Sequence, residues 1–195
     1  MAEVLVLVEH AEGAPKKVTS ELITAARVLG EPAAVVVGAP GTAASLADGL
    51  KAAGAAKIYV AESDSVDKYL ITPYVDVLAA LAESAAPAAV LLAANPDGKE
   101  IAGRLAARIG SGLLVDVIDV KEGGKGTHSI FGGAFTVEAQ ANGDTPVITV
   151  RAGAIEAEAA EGAGEQVTVE VPEPAENGAK ITARQPAVAG DRPEL

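Results

Sequence analysis

The sequence predicts an α/β fold: a mostly parallel β-sheet covered by helices on both faces. Three observations carry that expectation. Short β-branched apolar runs recur at residues 4–8, 33–37, 57–61, 88–93 and 113–120, each of strand length. Helical stretches separate them at about residues 17–29, 42–52, 69–85 and 98–109. The runs are apolar without alternation, which is the pattern of strands buried on both faces, and right-handed crossovers follow from the helices between them. The architecture so predicted is a three-layer, Rossmann-like sandwich.

Each helical stretch presents one apolar face. Leu22, Ala26 and Leu29 line the first, Tyr74, Leu78 and Leu81 the third, and Ile101, Leu105 and Ile109 the fourth. Thr42 is expected to cap the second. Ahead of the fourth stands Asn95-Pro96-Asp97: Asn95 or Asp97 is suited to accept the free N–H groups of the first turn, and Pro96 to open it. Gly98 and Lys99 leave room for an anion at that positive helix end. Capping is the stronger reading of the two.

After residue 120 the pattern changes. Residues 121–126 form a turn-rich loop, and Phe135, Val137 and Ala139 alternate with Thr136, Glu138 and Gln140, the period of a strand with one wet face. Asn142-Gly143-Asp144 predicts a hairpin returning into residues 147–150, so antiparallel strands are expected beside the parallel sheet. Residues 154–165 read as a weakly helical or loose connector, and 167–171 as one more edge strand. Pro172, Pro174, Pro186 and Pro193 then punctuate a stretch without hydrophobic periodicity. The expected organisation is an α/β domain over 1–171 and a linker over 172–195.

Composition excludes several function classes. A chain of 195 residues suits one domain with a sizeable core, and aromatics at 3% leave that core to Ala, Val, Leu and Ile, with few stacking platforms. A formal charge of -12 repels polyanions, so nucleic acid is an improbable partner. There is no Cys, hence no disulfide, thiolate nucleophile or Cys-ligated metal. The apolar run near Met1 is too short for a signal segment or a membrane span, and a cytoplasmic location is expected.

Candidate chemistry is sparse. A dinucleotide fold needs bare glycines after its first strand, where the pyrophosphate meets the backbone. Residues 9–15 carry only Gly13 there, beside Glu9 and Glu12. Gly38 and Gly41 flank a second turn, and Gly123-Gly124-Lys125-Gly126-Thr127 imitates a phosphate loop but lacks its spacing, so a hairpin loop accounts for it better. His10 and His128 have no metal-ligand spacing. His10 with Glu9 or Glu12 suits proton transfer, yet no nucleophile accompanies it. Ser111 lacks a nucleophile elbow, and Asp116 and Asp119, three apart on one strand, do not pair. Glu100, Arg104 and Arg108 form a charged ridge opposite Ile101, Leu105 and Ile109. No self-contained active site emerges.

Taken together, "VLVLVEH" at the start, "GKEIAGRLAARIGSGLLVDVIDV" at 98–120, "HSIFGGAFTVEAQ" at 128–140, "VITVRAGAIE" at 148–156 and the terminal "GDRPEL" resemble the alpha subunit of the electron transfer flavoprotein family. The resemblance runs over the whole chain and keeps the order of these segments. It implies a heterodimer with a beta subunit that carries electrons on FAD, in fatty acid β-oxidation, from acyl-CoA and related dehydrogenases to a quinone oxidoreductase. In such proteins "DRPEL" leads into a second domain that holds FAD, so the flavin-binding groups are expected beyond Leu195, and AMP is expected in the beta subunit. This chain then corresponds to the N-terminal scaffold, an electron carrier's subunit rather than an enzyme, redox-inactive alone and with no cofactor-binding residues of its own. Arg104, Arg108, Phe131 and Arg151 are the expected interface residues. The alternative is an autonomous adenine-nucleotide-binding protein that uses the turns at 9–14 and 95–99.

Overall fold

A computed structural model describes residues 2–175 and 178–185. Pro186, Pro193 and the "GDRPEL" segment that ends at Leu195 lie outside the described residues, so the expectation of flavin-binding groups beyond Leu195 falls outside them as well. The chain runs β1 (Glu3–Leu7), β2 (His10–Ala11), β3 (Ala14–Pro15), α1 (Lys17–Leu29), β4 (Glu31–Gly38), α2 (Thr42–Ala53), β5 (Lys57–Glu62), α3 (Thr72–Ala85), β6 (Ala89–Ala93) and α4 (Pro96–Ile109). It continues with β7 (Leu113–Val117), β8 (Asp119–Lys121), β9 (Lys125–Ile130), β10 (Phe135–Gln140), β11 (Val147–Val150) and β12 (Glu165–Thr168).

Seven strands form one sheet in the order β12-β5-β4-β1-β6-β11-β7, every neighbouring pair parallel. Alternation along each strand divides the core. Val4 and Val6 of β1 point with Val36 and Leu91 toward α1 and α2, while Leu5 and Leu7 point with Val35 and Leu92 toward α3 and α4. Burial on both faces is why these strands lack a polar alternate, and the three-layer α/β expectation holds.

Antiparallel strands do follow residue 120, as expected, but their pairing differs. The hairpin through Asn142-Gly143-Asp144 does not form: β11 is parallel and inserts between β6 and β7. All four β11 residues are buried, and a sheet interior satisfies both faces of such a strand where an edge hairpin leaves one wet. β10 pairs instead with β9 across the loop at 131–134, in an unbroken register from Phe135↔Ile130 to Gln140↔Lys125. With β8 these make a separate three-stranded sheet in the order β10-β9-β8. Residues 121–126 turn between β8 and β9, as the hairpin reading required.

Two further expectations are corrected. The run at 113–120 is two strands broken by a bend at Ile118, and Asp116, inside the first of them, takes a left-handed φ of 62°. The helix expected from residue 69 starts at Thr72; Val66–Lys68 is a 3-10 turn, and Tyr69 pairs with Lys180.

Residues 151–164 carry no strand or helix and cross the outside of α1 and α2. Gly153 N–H donates to Glu21 Oε2 (2.8 Å), Glu158 N–H to Thr24 Oγ1 (3.0 Å) and Gly162 N–H to the Lys51 carbonyl (2.9 Å). The connector thereby spans from β11 to β12, which closes the far edge of the sheet against β5.

Candidate functional site

In open parallel sheets the natural ligand crevice lies outside the carboxyl ends of the strands where the connections diverge to opposite faces. Here that place is between β1 and β6, since α1 leaves β1 on one face and α4 leaves β6 on the other. A cavity of about 360 Å³ occupies it, floored by Leu7, Val8 and Ala93 and walled by Tyr69, Tyr74 and Ile181.

Glu9, Lys16 and Asn95 at its mouth are committed to one another. Thr19 Oγ1 accepts from Glu9 N–H (2.9 Å) and donates to the Glu9 carbonyl (2.8 Å), which holds the turn after β1. The Glu9 carboxylate accepts from Asn95 Nδ2 and, at 3.3 Å, from Lys16. Asn95 Oδ1 accepts the Gly98 N–H (2.7 Å), so Asn95 is the cap of α4 and the helix-start reading is correct. Gly98 serves packing: a Cβ there would meet the Ala93 carbonyl oxygen at 2.0 Å, so only glycine lets α4 lie this close to β6.

Arg184 reaches Asp67 at 3.5 Å, and the segment that carries it bonds to the 3-10 turn through Leu70 N–H to the Ala179 carbonyl and Ile181 N–H to the Lys68 carbonyl, 2.9 Å each. Burial, followed by the Asp67 charge, pushes the Tyr74 phenol above its usual range. Glu9, Asp67 and Asp97 therefore face a cavity whose two long-chain cations are paired. Carboxylates stand where the charge of a pyrophosphate would come, and Asn95 takes the Gly98 N–H with its side chain and the Lys99 N–H with its carbonyl. His10 also lines the cavity, but Glu9 is engaged by Lys16 and Asn95.

Thr42 is not the cap of α2. Its hydroxyl donates to the Ala39 carbonyl (2.7 Å), while the Glu62 carboxylate at the end of β5 takes the N–H groups of Gly41 (2.9 Å) and Ala43 (2.7 Å). An internal carboxylate thus takes the place at this positive helix end that a phosphate would need.

The four expected interface residues lie in two places. On α4, Arg104 pairs with Glu100 on the exposed ridge, and Arg108 crosses to Asp76 of α3, so the ridge is part tie between helices. On the opposite face of the main sheet, β8 packs beside α1 and the β9–β10 arm reaches outward. Phe131 stands at its tip with a φ of 51°, 81% exposed, edge-on to Phe135, which is 60% exposed; their ring centroids are 5.9 Å apart. Phe131 is therefore not core.

Ile130 and Val137 extend the bare surface and were missed in the sequence reading. The alternation in 135–140 was the available signal, read as one wet face with the apolar one inward. At the root that face is inward, where Gly126 and Ala139 pair next to buried Val120, and toward the tip it emerges with Val137, Ile130 and Phe135.

Arg151 braces this arm. Its Nε (3.2 Å) and Nη2 (2.8 Å) both donate to Asp116, and Nη2 donates to the Ser129 carbonyl of β9 (3.3 Å). Asp116 N–H in turn donates to the buried Thr149 Oγ1 (2.8 Å). The Arg151 hydrogen bonds hold the Asp116 carboxyl below the usual range. β7, β9 and β11 are joined at one residue.

Among the described residues, no group of three or more His, Asp or Glu is placed to hold a metal, and no helix is long and apolar enough to cross a membrane.

Residues 4–177 match the family model described as "Electron transfer flavoprotein domain". The chain belongs to that family. Similar proteins include the electron transfer flavoprotein subunit alpha of Mycobacterium leprae (strain TN), 81% identical over 195 residues, which are 100% of this chain and 61% of that one. The subunit alpha of Mycobacterium tuberculosis (strain ATCC 25618 / H37Rv) is 86% identical over 179 residues, 92% of this chain and 56% of that one. That of Syntrophomonas wolfei subsp. wolfei is 35% identical over 167 residues, 84% and 52%. This electron transfer flavoprotein domain thus spans less than two thirds of the length of those relatives.

Proposed function

We propose that this electron transfer flavoprotein domain is the N-terminal scaffold of an alpha subunit, which docks on a beta subunit in a cytoplasmic complex. That complex carries electrons on FAD from acyl-CoA and related dehydrogenases to a quinone oxidoreductase. The FAD is held by groups beyond this domain, AMP belongs to the beta subunit, and the domain's own task is association. The observation that carries this reading is the braced, aromatic-tipped β9–β10 arm on a chain whose relatives are named as subunits. Exposed contiguous apolar surface rimmed by polar residues marks an interaction site, and aromatic anchors commonly dominate its energy. Phe131 and Phe135 are the anchors, Arg151 positions them, and the Arg104–Arg108 ridge is a secondary contact.

Gel filtration and titration with purified beta subunit test this. Replacing both phenylalanines by serine (F131S/F135S) is expected to weaken association by about thirtyfold or more, since loss of one anchor commonly costs about 2 kcal/mol. Thermal unfolding should stay near wild type, because both rings are exposed. Undiminished binding by the double variant would remove the arm from the interface.

One observation favours the second reading, an autonomous adenine-nucleotide binder: the crevice at the carboxyl ends of β1 and β6 has a volume typical of ligand sites. The paired carboxylates at its mouth oppose it. Calorimetry with AMP is expected to give no heat at millimolar nucleotide, and micromolar affinity would reverse the ranking. Flavin absorbance bands in the purified chain would contradict the placement of FAD outside this domain.

A further inference from the structure

We infer that residues 178–184 form a removable strap that closes the crevice between β1 and β6, so that the cavity there has a strapped and an open state. Its role does not depend on what the β9–β10 arm binds. Ile181 and Arg184 both line the cavity, and every other lining residue falls between Leu7 and Ile101. The strap therefore returns from the far end of the described chain to finish the wall.

Everything that fastens the strap goes to one place. Leu70 N–H donates to the Ala179 carbonyl and Ile181 N–H to the Lys68 carbonyl, 2.9 Å each, on either side of the Tyr69↔Lys180 bridge. Lys180 Nζ lies 5.6 Å from the centre of the Tyr69 ring, and Arg184 Nη2 donates to the Asp67 carbonyl at 3.2 Å and reaches its carboxylate at 3.5 Å. These partners all sit at 67–70, in and just after the 3-10 turn. Among the described residues no hydrogen bond or ion pair joins 178–184 to β1, α3, β6 or α4, so the strap can leave as a unit while the sheet and helices stay packed.

The fastening is weak by the nature of its parts. The Arg184–Asp67 pair is exposed on both sides and screened by salt, and Lys180 over Tyr69 is a surface contact. The two main-chain bonds have water as their alternative. From Ala179 to Arg184 only Ile181 is shielded from solvent, so one apolar side chain grips the cavity wall. Contacts of this kind open locally at far less cost than unfolding a buried sheet. With the strap down, an entrant meets Ile181 and Arg184; with it lifted, the floor of Leu7, Val8 and Ala93 and the rings of Tyr69 and Tyr74 are within reach. The strap is thus an autoinhibitory contact, and the affinity of the crevice for any entrant falls by the fraction of chains in the open state.

The chain has no Cys, so a single introduced thiol reports access. V8C places one on the cavity floor and V36C one in the core away from it, both at buried positions. Labelling of V8C by a maleimide is expected to be slow, and at least tenfold faster once I181S/R184A frees the strap, while V36C stays slow in both backgrounds. Rapid labelling of V8C under the intact strap, an equal rate with and without it, or acceleration of V36C alongside V8C would each overturn the inference. Hydrogen exchange of the unaltered chain supplies a measurement that needs no variant. The Leu70 and Ile181 amides should exchange at least tenfold more slowly than those of the exposed residues 182–185, yet faster than the amides of β4. Exchange as fast as at 182–185 would overturn the docked state, and exchange as slow as in β4 would overturn its release as a separate unit.

Discussion

Asp116 combines a left-handed backbone with a carboxylate held between Arg151 donors. Asn tolerates that backbone region well, so D116N removes the charge without adding strain. A partly exposed pair of this kind contributes only modestly, because solvent screens it. Because the folded carboxyl lies below its ordinary range, that contribution is complete above the unfolded value of about 3.9 and fades as pH falls through the folded one. Urea midpoints should therefore separate wild type from D116N at pH 7 and draw together as pH falls below the unfolded value of about 3.9. A gap that does not narrow on acidification would assign the loss to geometry. Glu3 titrates in the same sense: burial works to raise its carboxyl, and the hydrogen bonds from Lys57 and Tyr59 outweigh burial and lower it. Of these residue roles only the helix cap at Asn95 was legible in the sequence. Capping is a three-residue matter, whereas the partners of Asp116 and Glu3 come from 33 and 54 or more positions away.

At the scale of elements, α4 holds two glycines with opposite roles. A Cβ on Gly98 collides with the Ala93 carbonyl, while one on Gly103 meets nothing within 4 Å. G98A is expected to destabilise by about 1–3 kcal/mol through overpacking, and G103A to stabilise by up to about 1 kcal/mol through helix propensity. Thermal melts of the two variants should move in opposite directions; a shared sign would deny that α4 packs at this distance. For α2 the sequence pointed to Thr42 as the cap, and the structure assigns the role to Glu62. E62A should cost about 1–2 kcal/mol and T42A clearly less, read from urea unfolding. The strands and helices themselves were legible because their periods of 2.0 and 3.6 are local. The pairing of 147–150 was not, since Asn142-Gly143-Asp144 is a local turn signal and the gain from burying β11 between β6 and β7 is not local.

At the scale of the whole molecule, net charge and apolar surface make different demands on a partner. If Phe131 and Phe135 anchor the complex, raising salt from about 0.05 to 0.5 M should change the affinity for the beta subunit by less than about threefold, because apolar contact is not screened. A loss of an order of magnitude would transfer the interface to the Arg104 and Arg108 ridge. By itself the sequence determined the parallel α/β sandwich, the absence of a bare phosphate turn after the first strand, and the cap that starts α4, all consequences of residue type and short-range period. Tertiary structure alone decided where β11 sits, which carboxylate caps α2, and that the apolar face of β10 leaves the core at its tip. Those depend on which distant segments meet, and burial at a position is a property of the packed chain, not of the residue that occupies it.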